Sequence, residues 1–593
     1  IDFGGQYAHL IANRVRKLGV YSEILDSTTP AQNFKDYKGI IFSGGPASVY
    51  EKGAPTCDPE ILNLNIPILG ICYGHQLLAH LQGGKVMEGE IKEFGPANIK
   101  VVKPIGILKN MQAEEKVWMS HGDEVIILPE GYEIIGSTEF CAHAAVANPV
   151  KNFYGVQFHL EVLHTENGLK MLENFLDLCQ CKKDWEIGDF LEKEMEAIRK
   201  QVGNKKVFML ISGGVDSTVA IVLLEKALSP ENVYGLFIDT GFMRKNERTE
   251  VEKSFQELGI KNFHTIDASE KFIDSLKNIT DPEAKRKVIG DVFVKVQEAA
   301  LKEMDLNPEE WFLGQGTIYP DTIESGGTKH ASKIKTHHNR VAKIQELIDQ
   351  GKVIEPLAQL YKDEVRELGR KLNIPESLIS RHPFPGPGLA VRMLCANEEK
   401  WPEQSQSLEK EINQYLAPHN TAAKILPIQS VGVQGDHRTY KNPIALITDT
   451  DFETLNVINT NLINSFKPIN RGILLLHPPA INQIHLQKCA LTSNRISLLQ
   501  EADFVVREFI EEKNLTKDIW QFPTVLIPLA INREFGESLV LRPINSEEAM
   551  TANFYPMHKE LLKELTARLT KIDGISAVFF DVTNKPPGTI EWE

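Results

Sequence analysis

Three short segments hold the residue types that do chemistry. Gly70-Ile71-Cys72-Tyr73-Gly74 sets a cysteine between two glycines, directly after the apolar run Ile66 to Ile71. This is a glycine-x-nucleophile-x-glycine elbow with Cys where Ser often stands. The glycines allow a sharp strand-to-helix turn that presents the side chain, and the helix N-terminus that follows favours thiolate and lends amides to an oxyanion. The alternative is a buried structural cysteine. Gln157-Phe158-His159-Leu160-Glu161 follows the strand-like Phe153 to Phe158. Two apart in an extended segment, His159 and Glu161 leave one face together, as a base and its orienting carboxylate must. Alone the pair reads as a surface contact; with the elbow it completes a triad. The third segment, Ser212-Gly213-Gly214-Val215-Asp216-Ser217, sits between the strand-like Val207 to Ile211 and a helix expected from about Ser217 to Leu228. Its glycines let amides approach phosphate, the helix N-terminus favours negative charge, and two hydroxyls can donate. No G-x-x-x-x-G-K-[ST] loop is present, which opposes a γ-phosphate kinase mechanism. Asp216 beside a phosphate makes sense if it orients the loop or works through Mg²⁺.

These segments need parallel sheets to position them. Gly39 to Phe42, Ile66 to Ile71 and Val233 to Ile238 are brief, β-branched and stopped by turns, the rhythm of βα units. Cys181 to Gly188 reads as a linker, followed by an amphipathic helix. After Pro383 to Gly388 the pattern mixes helices with strands such as Val525 to Ile527 and Ala577 to Phe580, an α+β region. At 593 residues, three or four domains are expected. Apolar residues make up 42% and charged residues 24%, ordinary for a globular chain with full cores. A net charge of −15 opposes a nucleic-acid partner but not small phosphorylated ligands. Seven cysteines without disulfide spacing, no membrane-length apolar run and no secretory leader fit a reducing, cytosolic compartment. The opening Ile1-Asp2-Phe3 reads as the interior of a strand, so the native start is expected upstream.

From Asp2 to about Leu178 the chain resembles the class I glutamine amidotransferases. The resemblance implies a Cys72, His159, Glu161 triad and an oxyanion site formed by the Gly45 amide, in Ser43-Gly44-Gly45-Pro46, with the amide of Tyr73. It implies glutamine contacts from Gln76 and from His121 and Asp123 in Ser120-His121-Gly122-Asp123. Leu160 stands where that family usually has proline. The SGGVDS hexapeptide resembles the PP-loop of the N-type ATP pyrophosphatases, which adenylate an oxygen and release pyrophosphate. GMP synthase, asparagine synthetase, NAD synthetase, argininosuccinate synthetase and tRNA-thiolating enzymes share it. It implies ATP contacts from Ser212, Gly213, Gly214, Val215, Asp216 and Ser217, and from Asp239 and Met243 in the following Ile238 to Arg244 segment. Thr240 there replaces the commoner Asn or His.

Further segments are similar to the GMP synthase family in particular. Gly314 to Ser325 and Lys335-Thr336-His337-His338-Asn339 resemble its lid, with Asp321, Glu324 and Lys335 closing over the phosphates. Arg381 to Leu389 is rich in proline and glycine; a rigid linker is one reading, a preset nucleotide-facing loop the one the resemblance implies. Val431 to Arg438 matches the substrate-facing VGVQGD segment, and Lys585 to Glu593 matches the tail that forms the xanthylate (XMP) pocket. XMP contacts are then expected from Arg244, Pro385, Gly386, Gln434, Arg438, Lys585, Thr589, Ile590 and Glu591. The stretch 442–518 resembles a longer insertion seen in eukaryotic members. The implied fold class is α/β: an open-sheet amidotransferase domain (1–182), a doubly wound parallel-sheet PP-loop domain (186–392) and an α+β C-terminal domain (393–593). The implied partners are glutamine, ATP with Mg²⁺, and XMP, with a homodimer through the last domain. Two rivals are another PP-loop amidoligase, such as a glutamine-dependent NAD synthetase, and a catalytically silent nucleotide-binding scaffold. The first uses a glutaminase with a different cysteine context, and the intact triad and PP-loop oppose the second.

Overall fold

The computed structural model describes residues 1–5, 7–162, 164–304, 309–322, 347–348, 350–434, 437–546 and 552–593. The side chains of 90–92, 94, 303, 304, 322, 433, 434, 437 and 438 also lie outside that description. The chain forms two compact units. The first holds Ile1–Ala197, Gly316–His337 and Glu355–Lys371; the second holds Ile198–Gln315, His338–Ile354 and Leu372–Glu593. There are two units against three sequence segments: most of 186–392 shares a unit with 393–593, while 186–197 and the described residues 316–322 and 355–371 group with the first unit.

The first unit is built on a seven-stranded sheet. Its strands are β1 (Ile40–Phe42), β2 (Ile68–Ile71), β3 (Lys85–Val101), β4 (Glu114–Ile127), β5 (Glu133–Ser137), β6 (Ala145–Asn148) and β7 (Phe153–Val156), in the order β1-β2-β7-β6-β5-β3-β4. β1, β2 and β7 run parallel, and the rest pair antiparallel. The parallel half is buried on both faces, as such strands require. Ile40, Phe42 and Ile68 enter one core, while Leu69, Ile71 and Val156 enter the other. Side chains alternate across a strand, so these brief apolar runs fill both layers. Helices α1 (Ala8–Lys17), α2 (Tyr73–Leu81) and α3 (Gly168–Leu178) cover the sheet. The long β3–β4 hairpin is not evident from the sequence pattern, because its alternation is broken by charged residues and by an irregular register between Glu88 and Glu93.

The second unit contains a fully parallel sheet of β8 (Lys206–Ile211), β9 (Val233–Asp239), β10 (Phe263–Asp267), β11 (Trp311–Gly314) and β12 (Val353–Ile354), ordered β10-β9-β8-β11-β12. The chain order reverses beside β8, and ligands of such sheets bind outside the strand ends at that switch point. Here the Gly213-Gly214 turn leads from β8 into α4 (Val215–Ala227). A mixed sheet follows in the same unit, from β13 (Ala422–Ile425), β14 (Ser430–Gln434), β15 (His437–Ile447) and β16 (Ile469–His477) through Thr524–Ile527, Glu537–Leu541 and Ile575–Asp581. One core runs under both sheets, from Phe208 to Phe580. The stretch 442–518 is built into this sheet and its covering layer. It supplies central strand β16 and the helix Ser493–Glu512, whose Leu499, Val506 and Phe509 are buried. Among the described residues no helix is long and apolar enough to cross a membrane.

Candidate active site

Cys72 lies at the turn from β2 into α2 with φ 50°, a left-handed backbone that a non-glycine residue adopts only when its surroundings enforce it. The flanking glycines are needed for a reason of space. A Cβ at Gly74 would stand 2.3 Å from the Phe42 carbonyl oxygen, and one at Gly70 would stand 2.5 Å from that of Gly74. The Ser43–Pro46 loop reaches the nucleophile, since a Cβ at Gly44 would lie 3.2 Å from His159 Cε1 and 3.9 Å from Cys72 Cβ. The Gly74 amide donates to Ser43 O at 3.0 Å, binding loop and elbow together.

His159 and Glu161 do not leave a strand as expected. β7 stops at Val156, and a bridge with Trp118 sets the backbone instead, His159 N donating to Trp118 O at 2.9 Å. The pair still meets: His159 Nδ1 is 2.7 Å from Glu161 Oε1. Burial by itself lowers the His159 pKa; the Glu161 carboxylate and the hydrogen bond to Cys72 outweigh it and raise the pKa to about 10. The imidazole therefore lies between thiol and carboxylate, in the order a nucleophile, base and orienter require. Two further neighbours come into view only in the structure. Arg14 Nε donates to Glu161 O at 3.1 Å, and the Tyr7 ring meets the His159 ring edge-on at 5.2 Å. No local motif flags them, because both come from α1 or its start.

Of the expected glutamine contacts, Gln76 Nε2 donates to Asp123 O at 2.8 Å and to Gln157 Oε1 at 3.2 Å. Asp123 Oδ1 accepts from Tyr50 at 3.0 Å. Ser120 O lies 3.6 Å from Cys72 Sγ. His121 is buried with both ring nitrogens engaged, at Asp123 O and Glu93 Oε2. Leu160 is a core residue of the α3 face.

In the second unit the SGGVDS turn has the form of an anion cradle. Gly213 takes φ 77°, and α4 starts at Val215 with no side chain capping its amides. Ser212 and Ser217 hydroxyls lie 3.1 Å apart, and Ser217 and Thr218 donate back to Gly214 O at 3.0 and 2.9 Å. Arg381 donates to Gly213 O at 3.4 Å, adding positive charge beside the loop. Asp239 ends β9 and accepts from Gly241 N at 2.8 Å; burial raises its pKa. Met243 O accepts from Gln500 at 2.8 Å.

The Pro383–Gly388 segment is a seated loop, not a linker. Leu389 N donates to Phe242 O at 2.7 Å, and Gly388, at φ 66°, approaches Phe242 so closely that a Cβ would lie 2.3 Å from its carbonyl oxygen. Phe384, next to Pro385 and Gly386, packs against the guanidinium groups of both Arg244 (4.4 Å) and Arg392 (5.3 Å). Asp503 lies 3.8 Å from Arg244 and 4.0 Å from Arg392.

The C-terminal tail is embedded. Trp592 is fully buried and donates from Nε1 to Asp581 Oδ2 at 3.0 Å, an oxygen also bound by Arg471 (3.0 Å) and Arg542 (2.8 Å). Arg471 donates to Thr589 Oγ1 at 2.8 Å, Arg542 to Ile590 O at 3.0 Å, and Arg392 to both Glu591 oxygens at 2.9 and 3.1 Å. Glu593 pairs with the buried Lys285. Lys585 is half-buried, its pKa lowered by burial and then by Arg542, with its backbone paired to Ala552. β14 joins the tail, Val431 N donating to Trp592 O at 2.9 Å. Arg244, Phe384, Glu591 and the PP-loop's companion Arg381 are thus held in one unit. No sequence motif marks Arg392, Arg471, Asp503 or Asp581, because their meaning comes from distant strands and a helix meeting. Asp321 lies in a short helical turn, Tyr319–Thr322, in the first unit. Glu324 and Lys335 lie outside the described residues, as do the side chains of Gln434 and Arg438.

Three family models match the chain: Glutamine amidotransferase class-I over residues 1–179, NAD synthase over 186–297 and 347–396, and GMP synthase C terminal domain over 508–592. A probable glutamine-hydrolysing GMP synthase of Leptospira interrogans is 50% identical, covering 100% of this chain and 98% of its own. That of Aquifex aeolicus is 45% identical over 80% of this chain and 96% of its own. That of Dictyostelium discoideum is 37% identical over 100% and 94%. The Leptospira match spans 442–518, so that stretch is shared with a bacterial relative. With half its residues shared end to end, and amidotransferase, PP-loop and C-terminal models in that order, the chain belongs to the glutamine-hydrolysing GMP synthase family.

Proposed function

We propose that the chain converts XMP to GMP, using ATP and ammonia cut from glutamine, with domains at 1–182, 186–392 and 393–593. The Cys72 sulfur, its proton held by His159, attacks the glutamine carboxamide carbon. The tetrahedral oxyanion is met by the Gly45 and Tyr73 amides. His159 then returns the proton to the leaving nitrogen, ammonia departs, and water releases glutamate from the thioester. Glu161 stabilises the imidazolium throughout.

In the second half, the XMP C2 oxygen attacks the α-phosphorus of ATP and pyrophosphate leaves. Ammonia then displaces AMP from C2. The SGGVDS amides and hydroxyls receive the departing phosphates. Asp216, a hard oxygen donor in the first turn of α4, suits Mg²⁺, which would neutralise phosphate charge. Asp321, Glu324 and Lys335 are assigned to the lid, and Gln434, Arg438, Lys585 and Thr589 to XMP. A homodimer through the C-terminal domain and a cytosolic location complete the reading.

The observation that carries the substrate assignment is the seating of the tail. Thr589, Ile590 and Glu591 are each gripped by a buried arginine, and the Glu591 partner Arg392 stacks on the same Phe384 ring as Arg244. A tail with no role in a site needs no such anchoring. The test is a product assay with XMP, ATP and glutamine. AMP, pyrophosphate and GMP in equal amounts are expected; ADP with orthophosphate, or no dependence on XMP, overturns the reading.

A further inference from the structure

Glu93, His121 and Cys141 form a cluster to which no chemical step above is assigned, although the family resemblance puts His121 among the glutamine contacts. They come from β3, β4 and the turn between β5 and β6, and their ligating atoms all lie within 4.8 Å of one another. Glu93 is 9% exposed, His121 6% and Cys141 1%. His121 Nδ1 is 3.0 Å from Asp123 O. A carbonyl only accepts, so Nδ1 carries the hydrogen. In the neutral ring Nε2 then presents a lone pair, and it faces Glu93 Oε2 at 3.2 Å. That contact needs either a hydrogen or a metal ion between the two atoms.

A second ring proton would satisfy that pair as an ion pair, leaving Cys141 a bystander. Three observations favour a metal. An Nδ1–H bond to a carbonyl is the usual device that orients a metal-bound imidazole. Thr138 Oγ1 lies within hydrogen-bond reach of both Glu93 oxygens, at 3.3 and 3.4 Å, fixing the carboxylate. The His143 amide hydrogen-bonds the Cys141 sulfur, as amides do at metal-bound thiolates.

We propose that Glu93, His121 and Cys141 are three protein ligands of a Zn²⁺ site in the amidotransferase domain, with a fourth position left for water or another small donor. Thiolate, imidazole and carboxylate are the zinc ligand set. Tetrahedral zinc, with bonds of about 2.0–2.3 Å, holds its ligands roughly 3.3–3.7 Å apart. The Glu93–His121 pair is already near that spacing, and a modest rotation of Cys141 brings in the sulfur. Such a metal would clamp the stretch of β4 beside the nucleophile. The same Asp123 carbonyl receives Gln76 Nε2 at 2.8 Å, and Ser120 O contacts Cys72 Sγ.

The Cys72–His159–Glu161 triad offers a similar ligand set, so the test silences it. Full-length Cys72→Ala, stripped with chelator, is titrated with CoCl₂ and read by the thiolate-to-cobalt charge-transfer band. One equivalent should saturate the band, Zn²⁺ should displace it, Cys141→Ser in that background should abolish it, and Glu93→Gln should weaken binding at least tenfold. No band in Cys72→Ala, or an unchanged band in Cys141→Ser, overturns the proposal. Should circular dichroism show Cys141→Ser unfolded, Glu93→Gln decides alone, and unchanged cobalt affinity overturns it.

Discussion

Glu591→Gln is the substitution that separates a binding tail from a merely structural one. Arg392 is fully buried and grips both Glu591 oxygens, at 2.9 and 3.1 Å. Glutamine keeps the volume but turns one acceptor into a donor facing the guanidinium. Losing one charge-assisted hydrogen bond in a buried setting costs about 1.5–3 kcal/mol. Asp503, 4.0 Å from Arg392, remains to offset part of that, so the lower half of the range applies. If Glu591 lies against XMP, losing a contact of the same kind there, about 1.5–2.2 kcal/mol, appears as a roughly 13- to 40-fold rise in the KM for XMP. Deleting Pro587 to Glu593 is a blunter tool. It removes the fully buried Trp592, worth about 3–5 kcal/mol, and strips buried Lys285 of its carboxylate, worth about 3–5 kcal/mol more. Against a stability of about 5–15 kcal/mol, that deletion is expected to unfold the unit. The assay is ammonia-driven GMP formation against XMP concentration, with a thermal melt of each protein. A KM within twofold of the parent, at unchanged melting, refutes the placement of Glu591 at the substrate.

Other expectations follow from the same geometry. Glu161→Gln removes the charge that stabilises the imidazolium, so glutamine-dependent turnover should fall at least 100-fold while ammonia-dependent turnover is unchanged. Because the His159 pKa is raised in the folded state to about 10, its contribution to stability is full below the unfolded value of about 6.5 and is lost as pH rises through about 10. The stability of the first unit, read by chemical denaturation, should therefore fall over that window, with a shallower slope in Glu161→Gln. Glutamine hydrolysis measured with and without XMP plus ATP-Mg²⁺ should differ by a coupling of about 1–3 kcal/mol; equal rates would exclude communication between the sites.

The contiguous motifs are legible in the amino-acid sequence itself. The Cys72 elbow and the SGGVDS loop need their glycines within a few residues of the reacting groups, so local sequence carries them. The strands that end at these motifs are also visible, as brief β-branched runs. The His159–Glu161 contact is legible from spacing, but the backbone behind it is not, since a bridge to Trp118 rather than a continuing strand sets it. What stays hidden is long-range. Asp581 becomes a hub only because its strand lies beside β16, which brings Arg471, while Arg542 and Trp592 arrive from either side. Arg392 and Asp503 meet through a loop and a helix more than a hundred residues apart. Glu93 and Cys141 look like ordinary strand and turn residues until the register of β3 on β4 sets Glu93 opposite His121 and the β5–β6 turn brings Cys141 beside them.

The most direct test of the central claim is GMP synthesis by Cys72→Ala and Asp216→Ala with each nitrogen donor. Alanine keeps the elbow while removing the thiol, so Cys72→Ala should lose glutamine-driven synthesis and retain synthesis from ammonium at alkaline pH. Asp216→Ala should fail with both donors, because no adenylated XMP forms. Normal use of glutamine by Cys72→Ala, or rescue of Asp216→Ala by ammonia, would contradict the account.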